Sequence, residues 1–203
     1  MDPMDRQALS GRLMMRKIYY LSTMLSICLL LCACTAKVKK PDWKFENEAI
    51  RVHIKADHRL NLYNQQAHTL YVCFYQLSAL NAFDQLAQDE DGIRSLLACR
   101  LFDPSVAAVT SKTILSGENI TITLDRAERA QYFAVVTGYY AKLSDERMVR
   151  RHKIQAFKRR ESFFKRTYQC VPCGQDIELM LGPHQIESSK LMVNNEKCHD
   201  ECK

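Results

Sequence analysis

The chain has 203 residues, 47% of them hydrophobic, and its 29 Lys and Arg against 23 Asp and Glu give a formal charge of +6. The surplus is local: residues 142–169 hold ten basic and three acidic side chains, residues 34–141 are balanced, and the chain from Cys170 onward is negative. A basic stripe suits nucleic acid or an anionic membrane surface, and the export leader described next argues against nucleic acid, so a solvated strand face, a membrane surface or an acidic partner remain.

The leader begins at Arg16-Lys17, followed by the uncharged, mostly apolar run Ile18–Leu31 and the small-residue stretch Cys32-Ala33-Cys34. These are the charged, apolar and cleavage regions of a secretory signal. A spanning helix needs about 20 predominantly apolar residues, and this run is shorter and diluted by Ser22, Thr23 and Ser26. Met14 and Met15 directly precede Arg16, and residues 1–13 carry nothing readable as structure, consistent with a start codon placed too early. Leu31-Cys32-Ala33-Cys34 resembles the lipobox of bacterial lipoproteins. That resemblance implies cleavage after residue 33, diacylglycerol on the Cys34 thiol and a fatty acid on the freed amine, which together make anchoring stable. Thr35 is not the aspartate that retains lipoproteins at the inner membrane, so the expected location is the periplasmic face of the outer membrane. Residues 34–48 read as the lipidated cysteine and a polar tether, leaving enough chain for one domain with a sizeable core.

Ile50–Ala56 alternates apolar and polar residues, as a half-buried strand does, and Leu70–Leu77 is rich in β-formers and reads as a more buried one. The intervening loop, His58–Thr69, is long for a hairpin connection, and such loops are often functional. Asn81 can cap a helix through Leu86, Asp89-Glu-Asp-Gly92 interrupts it, and Ile93–Leu97 resumes an apolar face, which fits two short helices or one kinked one. Ser111–Leu115 and Ile120–Leu124 flank Ser116-Gly117, a hairpin signal. Tyr132–Tyr140 is the clearest buried strand, and Arg150–Phe157, Phe163–Tyr168 and Ile177–Leu181 complete about eight. Short strands at this spacing with one helical excursion predict an all-β fold, a sandwich with a small helical insertion. The domain is expected over residues 49–186, with a cysteine-containing tail over 187–203.

Several segments together carry a more specific resemblance. Tyr71–Leu77 followed by Asn81–Gly92, then Cys99, Phe102–Val106, Asp125–Glu128, Val135–Tyr140 with its central Gly138, and Leu181–Ile186 resemble the TssJ family, the outer-membrane lipoproteins of type VI secretion. The resemblance implies a transthyretin-like β-sandwich and a structural, non-enzymatic role holding the periplasmic domain of a TssM-like protein at the outer membrane. It also implies that the loop after the first strand touches that partner, here through His58, Leu60, Asn61, Leu62, Tyr63 and Asn64. The alternative for the apolar Leu60, Leu62 and Tyr63 is folding back over the sandwich edge. Neither a cofactor nor a small-molecule substrate is expected.

Beyond Cys34 there remain Cys73, Cys99, Cys170, Cys173, Cys198 and Cys202, and an even count in an exported chain points to disulfides. Cys73 lies in an apolar strand and Cys99 directly follows the helical insert, so a bond between them would pin helix to sheet; two buried free thiols are the alternative. Cys170-Val-Pro-Cys173 has other readings as well, since CxxC spacing also serves thiol-disulfide exchange and metal ligation. A periplasmic redox or metal-handling lipoprotein is therefore the rival function. No nucleophile–base pair, phosphate loop or calcium-loop spacing stands out, and His53, His58 and His68 read as surface residues.

Overall fold

The strand marked by the alternation of Ile50–Ala56 begins four residues earlier, at Glu46, and its apolar face continues onto the neighbouring strands. In the computed structural model, which describes residues 37–160 and 167–192 with Lys17, Tyr19, Tyr20 and Cys202, strand β2 (Glu46–Ala56) buries Ile50, Val52 and Ile54 completely. Its cross-strand partners continue the apolar layer: Leu124, Ile122 and Ile120 on β5 (Asn119–Arg126), and Ile177, Leu179 and Leu181 on β10 (Gln175–Leu181). β11 (Ile186–Leu191) closes this sheet, in the order β11-β10-β2-β5.

The facing sheet has the order β4-β3-β6-β7, formed by β4 (Val106–Ile114), β3 (Leu70–Leu77), β6 (Tyr132–Thr137) and β7 (Val149–Lys153). Its residues Val72, Phe74, Phe133 and Val135 join Ile50, Val52 and Ile54 in one core. β3 is buried on both faces because helices α1 (Asn81–Ala87) and α2 (Glu90–Leu96) cover the outer one. There Tyr75 meets the Phe83 ring edge-on at 5.6 Å and donates its hydroxyl proton to the Leu96 carbonyl. Burial pushes that phenol up to about 12. The protein is thus an all-β sandwich with a small helical insertion.

Local chemistry explains where strand and helix boundaries depart from the sequence expectation. Asn81 is the first residue of α1 and makes no side-chain cap; the working cap is Asp89, whose carboxylate accepts the Gly92 amide at 2.7 Å and starts α2. Gly92 is buried where α2 crosses α1, and a Cβ there would overlap the Leu86 backbone. Two short helices, not one kinked one, are the result. The Ser111–Leu124 segment is not a paired hairpin: β4 pairs with β3 and β5 with β2, so residues 115–118 carry the chain from one sheet to the other. The expected strand Arg150–Phe157 is two, β7 and β8 (Ala156–Arg160), in different sheets.

A third sheet, β1-β9-β8, lies outside the sandwich. β1 (Lys37–Lys39) falls in the expected tether and pairs in parallel with β9 (Thr167–Pro172). Likewise β11 carries the sandwich five residues past the expected boundary at Ile186. Both additions are edge strands of mainly polar residues, in which backbone pairing, not an apolar pattern, defines the strand. Among the described residues the strands number eleven.

Candidate partner-binding site

The loop between β2 and β3 is ordered by its own backbone. Asn64 and Gln65 both have positive φ, 49° and 64°, the conformation of a tight hairpin tip. On either side, the Tyr63 and Gln66 amides donate to each other's carbonyls at 2.9 Å. The Leu62 amide donates to the Pro183 carbonyl at 2.7 Å, and the Asp57 amide to the Leu181 carbonyl at 2.8 Å, tying the loop to the β10–β11 connection. His58 packs over Gly117, where a Cβ would press on the imidazole ring. The crossing between β4 and β5 therefore lies against the same loop.

Asn61 organises the centre. It is 3% exposed and adopts φ 48°, a left-handed conformation that Asn tolerates better than most residues. Its amide Nδ2 donates to the Thr69 carbonyl, and its Oδ1 accepts the Tyr140 amide, both at 2.8 Å. One buried side chain thus joins the loop to the segment following β6. Above it Tyr63 and Tyr140 stack at 5.0 Å with planes 29° apart, and His68 meets Tyr140 edge-on at 5.1 Å. Tyr63 is 50% exposed and Tyr140 60%. Paired aromatic rings held rigid yet open to solvent are the amphipathic anchors that protein interfaces favour. Neighbouring Tyr139 turns inward, donates to the Gln185 carbonyl at 2.8 Å, and is held protonated by burial.

The family described as "Type VI secretion lipoprotein, VasD, EvfM, TssJ" matches residues 48–183, a span that contains the whole loop, the helical insert and both sandwich sheets except β11 and the first two residues of β2. The chain belongs to the type VI secretion lipoprotein family. Its fold is similar to that of the type VI lipoprotein TssJ1 from Pseudomonas aeruginosa, at 14% identity and TM-score 0.52, covering 75% of this chain and 98% of that one. Further structures match at lower scores. The Lip protein of Serratia marcescens, a membrane-bound component of the type VI system, has 11% identity and TM-score 0.46, covering 72% and 98%. A structure described as the TssM C-terminal domain from EAEC has 11% identity and TM-score 0.49, covering 70% and 96%. No curated protein matches the chain.

Within this type VI lipoprotein the expected loop residues separate into two groups. Leu60 is fully buried and Asn61 nearly so; they are corrected from contact residues to residues that hold the loop, because Leu60 completes the sandwich core and Asn61 spends its polar atoms inside. Leu62 is half-buried, while His58, Tyr63 and Asn64 are exposed. Sequence reasoning missed Tyr140 and the role of His68. Tyr140 was read into a buried strand, but β6 ends at Thr137, and Gly138 is the signal that the strand stops before the tyrosines.

The outer face of the β2 sheet carries a hydroxyl–imidazole–carboxylate row. His53 Nδ1 lies 2.8 Å from the Thr121 hydroxyl and its Nε2 lies 2.9 Å from Asp176, which also meets Arg51 at 3.0 Å. Thr121–His53 and Arg51–Asp176 are cross-strand pairs, and the His53–Asp176 contact runs diagonally between them. The row stands on an open sheet face and joins β5, β2 and β10 as polar cross-strand contacts do.

Cys73 and Cys99 form a disulfide with Cα atoms 5.6 Å apart, within the range such bonds need. Cys170 bonds Cys202 across 6.0 Å, and Cys173 is also disulfide-bonded. Cys170 and Cys173 are both buried, at 2% and 3%. The Cys170–Cys202 bond corrects the redox and metal-handling reading of the motif, since it leaves no Cys170–Cys173 dithiol. Cys198, the acylation candidate Cys34 and the leader apart from Lys17, Tyr19 and Tyr20 lie outside the described residues.

Proposed function

We propose that the chain is acylated on Cys34, sits at the periplasmic face of the outer membrane, and holds a TssM-like periplasmic domain there through the Tyr63–Tyr140 platform. The lipobox-like Leu31–Cys34 and membership of a family of secretion lipoproteins support the anchor. The observation that carries the partner reading is the stacked, exposed tyrosine pair fixed by Asn61. It lies in the loops beyond the end of β2, whereas β1 precedes the strand's start, and an eleven-residue strand is roughly 35 Å long. A partner seated on the loops would thus be held clear of the bilayer. The reading is of a structural subunit, not an enzyme.

Two measurements test it. Changing Tyr63 and Tyr140 together to Ser removes the platform without touching the core, and binding to a TssM-like periplasmic fragment is expected to weaken at least tenfold with an unchanged melting curve. Unchanged affinity places the partner elsewhere. Cys34→Ser is expected to abolish incorporation of labelled fatty acid, and label persisting on the variant removes the anchor.

A further inference from the structure

The described basic residues of 142–169 are divided between different parts of the fold. Arg151 is consumed inside the fold, bridging Asp84 at 2.5 Å and Asp145 at 2.7 Å while lying over the Phe83 ring. Arg150 donates to the carbonyls of Glu146, Val149 and Ile186. Of the other described basic residues in this stretch, Lys142 and Arg147 lie between β6 and β7 and Lys153 ends β7, while Lys158, Arg159 and Arg160 lie on the third sheet, which lysines of β1 join. Strands β1, β8 and β9 contain Lys37, Lys39, Lys158, Arg159 and Arg160 and no acidic residue. Register aligns Lys39, Gln169 and Arg159 in one cross-strand row, and Lys39, Lys40 and Arg159 are exposed.

The position of this sheet matters more than its charge. Lys37 is three residues from Cys34, a reach of at most about 11 Å, so acyl chains on Cys34 would bring the sheet to the lipid surface. Val38, 43% exposed, and Phe45, 57% exposed, add apolar groups on the same stretch of chain. The Cys170–Cys202 bond ties β9 to the tail, and Cys173, also disulfide-bonded, directly follows the strand. We infer that the β1-β9-β8 sheet docks onto the anionic lipid headgroups of the leaflet that holds the acyl chains. This rests on the anchoring reading above. A basic surface beside a lipid anchor supplies a second attachment, and here it would also fix orientation, turning the Tyr63–Tyr140 end away from the membrane.

The test uses the mature chain from residue 34 with Cys34→Ser, so that neither acyl chains nor the apolar leader contribute, and sedimentation with vesicles of phosphatidylcholine, with or without 30% phosphatidylglycerol. Binding is expected only to the anionic vesicles and is expected to disappear at 0.5 M salt, where screening is strong. Neutralising Lys39, Lys40 and Arg159 to Gln is expected to weaken partitioning about a hundredfold, from roughly fivefold per charge. Lys39→Arg with Lys40→Arg is expected to retain it. A matched triple on the helical insert and β4, Arg94, Arg100 and Lys112 to Gln, is expected to bind as the parent does. Absence of binding to anionic vesicles, equal losses from the two triples, or capture by a polyglutamate matrix in place of vesicles overturns the inference. Fatty-acid labelling of the parent chain is read separately, so loss of the anchor and loss of the lipid-binding sheet are distinguishable.

Discussion

Asn61→Ala separates a residue that touches a partner from one that builds the surface the partner meets. Truncation removes both hydrogen bonds, leaving the Tyr140 amide and the Thr69 carbonyl without their 2.8 Å partners. A buried group left unpaired costs about 1–3 kcal/mol, and since both bonds are only part-buried, about 1 kcal/mol each is the appropriate figure. Placing Ala at φ 48° adds about 1 kcal/mol over Asn. The total is near 3 kcal/mol, concentrated where the loop meets the segment after β6. Amide exchange at Tyr140 reads it directly and is expected to accelerate about a hundredfold. Affinity for a TssM-like fragment should fall as far as in Tyr63→Ser, although Asn61 is 3% exposed. Asn61→Gly relieves the backbone but not the bonds and should recover about a third of the loss. Tyr140 exchange and affinity both unchanged in a folded Asn61→Ala protein would refute the reasoning.

Replacing Cys73 and Cys99 together by Ala opens a loop spanning 26 residues, which on the chain-entropy account lowers stability by about 3.5 kcal/mol; urea unfolding checks it, and a loss under 1 kcal/mol would contradict the pinning of α2 to β3. Burial and the nearby Arg150 depress the His152 pKa from its ordinary value. The unfolded chain therefore binds the proton first, and stability falls as the pH drops below about 6.5, by at most about 1.4 kcal/mol per pH unit from this residue. His152→Gln, which can still meet the Ser189 hydroxyl now 2.6 Å from Nε2, should flatten that part of the stability profile, and an unaltered profile would assign the acid sensitivity to other groups.

The sandwich was legible because its central strands are periodic. Ile50, Val52 and Ile54 on β2 and the continuous apolar run of β3 can bury themselves in few other ways. Edge strands were not. β1 and β11 are short and polar, and nothing in Lys37-Val-Lys39 or Ile186–Leu191 announces the neighbour each pairs with. The Ser116-Gly117 signal located a turn correctly and named its partners wrongly, because turn chemistry fixes a reversal, not which sheet receives each arm. For the candidate site, the loop was visible from its length and its apolar residues. The division between Leu60, which fills the core, and Tyr63, which faces solvent, depends on where the loop doubles back, and that is set by backbone bonds to Pro183 and by the left-handed turn at Asn64-Gln65.

β2 gives the two ends of the molecule a fixed relation. It lies between β5 and β10 with ladders on both edges, so its residues from Ile50 to Lys55 are held on two sides. A strand paired on both edges cannot shift by one residue without moving its whole apolar set to the wrong face. Near its start, Glu46 pairs with buried Arg126 at 2.8 Å, and Trp43 lies 6.0 Å from that guanidinium. At its end Asp57 accepts the Gly117 amide and donates its own to Leu181. From Ile50 onward β2 is therefore one rigid element that ends at the loop carrying Tyr63. An orientation imposed at Ile50 is delivered to Asp57 without any hinge between them, which is the mechanical property the proposed lipid-anchored holder of a second protein would require.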